Sequence, residues 1–128
     1  MKLEHIAVAF NTEQESDKFF LDLLGLNKAR NFAVSAELME QFFGINKKSN
    51  AVRYEGENIN VEVFLTEDDN KAQDSLTHNC LLVEDPEELL VKAKSMGFPI
   101  IKVPRSGPGY FYFIKDSFLN LYEIKKMM

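Results

Sequence analysis

The feature that most constrains this chain is that it reads twice. Its two histidines each stand at the head of an apolar run: His5 in LEHIAVAF (residues 3–10) and His78 in LTHNCLLV (residues 76–83). After His5 comes TEQESDKFFLDLLG (12–25), in which Thr12 and Glu15 form a capping box, hydroxyl to backbone one way and carboxylate back the other. Phe20, Leu23 and Leu24 then recur at helical spacing, and Gly25 suits the left-handed conformation that ends a helix. After His78 comes DPEELLVKAKSMG (85–97). There Asp85 caps, Pro86 fits the first turn, Glu88 completes a second box, Leu89, Leu90, Ala93 and Met96 form the apolar stripe, and Gly97 stops it. The cap follows the histidine by seven residues in both copies, and the glycine follows it by twenty residues in one and nineteen in the other. Histidine, cap, stripe and glycine at matching offsets indicate a duplicated unit.

Each helix is followed by three strand-like segments rich in β-branched and aromatic residues. In the first half these are KARNFAVS, AVRYEG and NINVEVFL; in the second they are FPIIKVP, YFYFIKD and LNLYEIKK. A short extra helix is expected in AELMEQFFGI, with Leu38, Phe42 and Ile45 inward, and the acidic stretch TEDDNKAQD reads as a solvated linker. The expected fold is therefore α+β: two βαβββ modules forming an open, cup-shaped mixed sheet with helices on the outer face. One domain spans 1–128, with module one at 1–66, linker at 67–76 and module two at 77–128.

Strand alternation then assigns faces. Ile6, Val8, Val61, Val63, Leu81, Val83, Tyr122 and Ile124 belong under the helices. Leu3, His5, Ala7, Ala9, Asn60, Glu62, Phe64, His78, Cys80, Leu121 and Glu123 fall on the other face. Asn79 on the helix side fits this scheme badly.

Composition narrows the partners. A net charge of −5 argues against nucleic acid and against an anionic membrane surface, both of which call for clustered Lys and Arg. A single cysteine excludes an internal disulfide and suits a reducing compartment. The N-terminus has no signal-peptide pattern and no run is long enough to span a bilayer, so a cytoplasmic location is expected.

Each half thus offers one histidine on its first strand and one glutamate on its last: His5 with Glu62, and His78 with Glu123. Taken singly, each reads as an ordinary strand residue. Together, two imidazoles and two carboxylates suit a divalent ion such as nickel, cobalt, zinc, manganese or iron, leaving two octahedral positions for water or substrate oxygens. Cys80 reads as a small wall or core residue, Arg30 and Arg53 as surface arginines able to hold a substrate carboxylate, and RSGPGY as a loop. YFYF is expected mostly in the core, with subunit contact as the alternative, and KKMM at a frayed end or an interface.

LEHIAVAFNTEQESDKFFLDLLGL and RSGPGYFYFIKDSFLNLYEIKK resemble the opening and closing segments of the vicinal oxygen chelate superfamily, which includes glyoxalase I, methylmalonyl-CoA epimerase, extradiol dioxygenases and antibiotic-resistance proteins. The resemblance covers nearly the whole chain and implies paired βαβββ modules. It places the metal ligands at His5, Glu62, His78 and Glu123. That order is the one in bacterial-type glyoxalase I; the epimerases carry Gln where Glu62 stands. Two features depart from the pattern: the extra helix, and the turn DSFLN (116–120), which lacks the Pro and Gly of the usual Asp-Pro-x-Gly-Asn. The implied activity is a metal-dependent lyase or isomerase acting through an enediolate, with Glu62 and Glu123 moving the proton. It would convert a 2-oxoaldehyde–thiol hemithioacetal to a 2-hydroxyacyl thioester. Epimerisation beside a thioester and metal-free sequestration of a small molecule are the alternatives, and a homodimer is expected by resemblance.

Overall fold

The computed structural model describes residues 3–68 and 76–127. The chain divides into two compact units, Met1–Asn70 and Lys71–Met128. Most of the expected linker, residues 69–75, lies outside the described residues, as does Met128 of the KKMM end.

The first unit runs β1 (Ile6–Phe10), α1 (Glu13–Asp17), a π-helical turn (Lys18–Leu23), β2 (Asn27–Val34), α2 (Ala36–Phe43), β3 (Ser49–Glu55) and β4 (Asn60–Leu65). The second runs β5 (His78–Val83), α3 (Pro86–Ser95), β6 (Ile100–Pro104), β7 (Tyr110–Lys115) and β8 (Leu121–Lys126). Their sheets have matching orders, β1-β4-β3-β2 and β5-β8-β7-β6. In each, the first and last strands pair parallel and the remaining pairs are antiparallel. The duplication read from the sequence is therefore a duplication of topology.

The helix ends follow from their residues. Thr12 and Asp85 accept the backbone N–H of Glu15 and Glu88, the first half of each expected capping box; the Thr12 N–H itself donates to Asn11 Oδ1 at 2.9 Å rather than to Glu15. Gly25 and Gly97 sit at φ 72 and 87, where a side chain would be strained. The first helix departs from simple α geometry after Asp17. Leu24 N–H reaches the Phe19 carbonyl, five residues back, and this wider turn buries Phe19, Phe20 and Leu23 together. Phe20 then stacks on Tyr54 (5.1 Å) and meets Phe10 edge-on (5.6 Å), while Val52, Val61 and Val63 fill the sheet side of the core. The second core gathers Leu90, Ala93, Phe98, Ile114, Phe118, Tyr122 and Ile124.

Two expectations are corrected. In α2 it is Met39 that is buried; Leu38, Phe42 and Ile45 are exposed. Apolar residues occur on several sides of this short helix, so spacing alone does not fix its inward face. In YFYF, Tyr110 and Phe111 are exposed and Tyr112 and Phe113 half-buried, leaving Ile114 as the core residue of β7. Tyr112 donates to Glu87 of α3 at 2.8 Å, and Phe111, on the face opposite Ile114, carries the Arg105 guanidinium on its ring.

The DSFLN turn stands without its Pro and Gly because Asp116 organises it. One carboxylate oxygen accepts the Phe118 and Asn120 N–H groups, and the other accepts the Asn120 side-chain amide and the Tyr122 hydroxyl, all at 2.9 Å. Leu119, at the place of the missing glycine, takes φ 66. Asp116 thereby anchors the start of β8, the strand that carries Glu123. Asp116→Ala leaves buried donors unpaired at about 1–3 kcal/mol each, so a loss of at least ~3 kcal/mol is expected in denaturant unfolding. Burial pushes the Asp116 carboxyl up from 3.8 to about 6 despite its four donors. The proton it binds in the fold therefore adds stability that is full below 3.8 and is lost as the pH rises through about 6, while the hydrogen bonds to the ionised carboxylate remain. Unfolding titrations across that window should show this decline, and Asp116→Asn should flatten it.

Candidate functional site

Strand parity and register bring the candidate residues together within each unit. Val61 and Val63 are wholly buried, which turns Glu62 to the opposite face of the sheet. The parallel pairing sets Ala7 beside Glu62, and His5, two residues earlier, shares that face. His5 Nε2 lies 3.6 Å from Glu62 Oε1. The second unit repeats this. Tyr122 and Ile124 are buried, Cys80 pairs with Glu123, and His78, two residues before Cys80, has its Nε2 3.6 Å from Glu123 Oε1. Even the exposures match: the histidine and glutamate side chains are 36% and 14% exposed in one unit and 39% and 17% in the other.

The other ring nitrogen decides what each imidazole offers. His78 Nδ1 lies 2.9 Å from the Leu76 carbonyl. A carbonyl only accepts, so Nδ1 carries a proton, and in the neutral imidazole the lone pair is then on Nε2, on the Glu123 side. His5 Nδ1 is bonded to the Glu4 carboxylate, with the same consequence for its Nε2. A separation of 3.6 Å is too long for a hydrogen bond, whereas two metal–ligand bonds of about 2.1 Å each span it. An imidazole held through Nδ1 by an oxygen, with Nε2 facing a carboxylate, is the arrangement of a metal-binding histidine. Each pair therefore fits half of a divalent-ion site. Among the described residues, no group of three or more His, Cys, Asp or Glu is placed to hold a metal ion.

The two pairs differ in what stands beside the glutamate. In the first unit Arg53, on β3, is buried and binds three carboxylates. Its Nε donates to Glu55 (2.8 Å), its Nη1 to Glu62 Oε2 (2.9 Å) and its Nη2 to Glu4 (2.6 Å). Arg53 and then His5 draw the Glu4 carboxyl down to about 2, and the three acids raise Arg53 further. Three carboxylates around one guanidinium leave a surplus of negative charge beside His5, which favours a cation there. In the second unit the residue in register with Glu123 is Phe113, whose ring centroid lies 6.0 Å from that of His78.

Arg53 is thus no surface arginine, and AVRYEG held the signal: buried Val52 and Tyr54 flank it and send it to the Glu62 face. Glu4 was missed, because its tie to Arg53 crosses 49 residues of sequence. Arg30 is exposed and lies over the Phe32 ring at 4.8 Å. Cys80 is exposed on the Glu123 face; burial, then the Glu123 charge, push its thiol up, away from a nucleophile's range. RSGPGY is a loop closed by Arg105 N–H on the Gly109 carbonyl at 3.0 Å.

Solved structures show the same fold. The glyoxalase family protein from Enterococcus faecalis is 16% identical, with 96% of this chain and 95% of that one covered and a TM-score of 0.71. The fosfomycin resistance protein FosX from Listeria monocytogenes is 14% identical over 100% and 94%, with a TM-score of 0.73. A mutant of that FosX, solved with Mn(II) and 1S,2S-dihydroxypropylphosphonic acid, is 13% identical over 96% and 87%, with a TM-score of 0.70. No curated protein matches the chain in sequence. No helix among the described residues is long and apolar enough to cross a membrane. Residues 4–113 match the family described as the Glyoxalase/Bleomycin resistance protein/Dioxygenase superfamily. With two βαβββ units of one topology and most of its length matched, the chain belongs to that superfamily, the vicinal oxygen chelate proteins.

Proposed function

We propose that the chain is a divalent-metal-dependent lyase or isomerase of the glyoxalase I type. In this reading His5, Glu62, His78 and Glu123 share one ion, the two halves coming from one chain or from the two chains of a homodimer. The observation that carries it is the doubled half-site: in each unit an imidazole is fixed through Nδ1 and aims Nε2 at a carboxylate oxygen 3.6 Å away. Two donors are too few for such an ion; a second, matching pair brings the protein donors to four and leaves two octahedral positions for water or substrate oxygens. The solved FosX complex with Mn(II) supports a divalent metal in a relative of this fold.

A bound ion would supply Lewis acidity to two neighbouring oxygens of a small substrate. The chain's own residues then move a proton. Glu62 has one oxygen held by Arg53, so it is the more restrained of the two acids. Glu123, beside Phe113, takes the proton from the hemithioacetal carbon and delivers it to the adjacent carbon, leaving a 2-hydroxyacyl thioester. The apolar residues Ile101, Val103 and Phe111 lie on the Glu123 face of their sheet and suit the substrate's carbon skeleton.

Metal binding tests the shared site. His5→Ala and His78→Ala should each weaken nickel or zinc binding at the same site by 10²-fold or more, on the order expected when a ligand is lost. Independent half-sites would instead leave half the ions bound with unchanged affinity. Turnover should be measured with methylglyoxal and glutathione or another thiol, with methylmalonyl-CoA, and with fosfomycin, for which several structural relatives are named. The expected activity is with the first, falling about 10²–10⁴-fold in Glu123→Gln. Turnover of methylmalonyl-CoA alone would replace the reading by epimerisation. Tight small-molecule binding without metal or turnover would replace it by sequestration.

A further inference from the structure

We propose that Arg53 is the positioning residue of the first half-site, directing Glu62 through its own contact and fixing the ring of His5 through Glu4. The inference rests on reading His5 and Glu62 as metal donors. Its geometry is a short relay: Arg53 Nη2 to Glu4 Oε1 at 2.6 Å, Glu4 Oε2 to His5 Nδ1, and Arg53 Nη1 to Glu62 Oε2 at 2.9 Å. One planar guanidinium thereby faces the supports of both donors. With Oε2 occupied, Glu62 keeps Oε1 turned to His5 Nε2. With Nδ1 occupied by an acceptor, His5 keeps its proton there and its lone pair on Nε2.

The second unit argues that the fold itself does not require an arginine here. Arg53 pairs with Glu62 across β3 and β4, as Phe113 pairs with Glu123 across β7 and β8. The same strand order thus accepts an apolar ring at the corresponding place. There the histidine is held differently, by the Leu76 carbonyl, and no relay is needed. A buried guanidinium is costly unless its partners repay it, and what Arg53 adds beyond stability is the aim of two ligands. Its fork also binds Glu4 and Glu62 at once, which a lysine ammonium does with less directional control.

The test uses the full chain freed of metal by a chelator, and reads the tautomers of both histidines by ¹⁵N NMR. In the wild type both should carry the proton on Nδ1. Arg53→Met and Glu4→Ala should shift His5 toward the other tautomer and leave His78 unchanged. Titration with nickel alone should show binding weakened about 10–100-fold in both variants, with partial recovery in Arg53→Lys. If Arg53→Met does not fold, Glu4→Ala carries the test, since Glu4 is 65% exposed. An unchanged His5 tautomer in the variants would overturn the proposal, and so would unchanged nickel affinity beside a wild type that binds. If the wild type binds no nickel, the metal reading fails, and the tautomer alone decides whether Arg53 orients His5.

Discussion

The parallel pairing of first and last strands is the constraint on which the rest of this protein depends. In each unit the chain leaves one strand, crosses a helix and two antiparallel strands (with the added α2 between them in the first unit), and returns beside its starting point. That return places the residue after a buried Val61 or Tyr122 next to the head of the first strand. Glu62 and Glu123 then have little choice of neighbour. Alternation forbids them the core, and register gives each a histidine. Side chains some 50 residues apart meet because the sheet order admits a single arrangement of faces.

Much of this was legible in the residues. Caps at Thr12 and Asp85, stops at Gly25 and Gly97, and alternating apolar residues in NINVEVFL and LNLYEIKK specify local structure through short-range physics. The four candidate donors followed from parity. What could not be read depends on packing between distant segments. The π turn at Lys18–Leu23 lets three apolar residues enter one core, and no local spacing announces it. Met39, rather than Leu38, Phe42 or Ile45, was buried because the neighbouring surface chose among the apolar sides of α2. The DSFLN turn departs from the family pattern in lacking its Pro and Gly, yet Asp116 holds it through four bonds, and only the tertiary structure reveals them.

Duplication has also left room for divergence. Both halves retain the histidine–glutamate pair at the same separation, while the residue beside the glutamate has become Arg53 in one and Phe113 in the other. One acid is tied into a charged cluster and the other sits by an aromatic ring. On the proposed reading the two glutamates take unequal parts, Glu62 holding position and Glu123 exchanging a proton. The same contrast separates the histidines, one steered by an anchored carboxylate and the other by a backbone carbonyl.

The central claim is that these matching pairs serve a single ion. Crystals grown with Mn²⁺ and measured for anomalous scattering would address it most directly. The account predicts one strong peak bonded to His5 Nε2, Glu62, His78 Nε2 and Glu123, within one chain or across a dimer. Peaks bonded to one pair alone, or none at either pair, would contradict it.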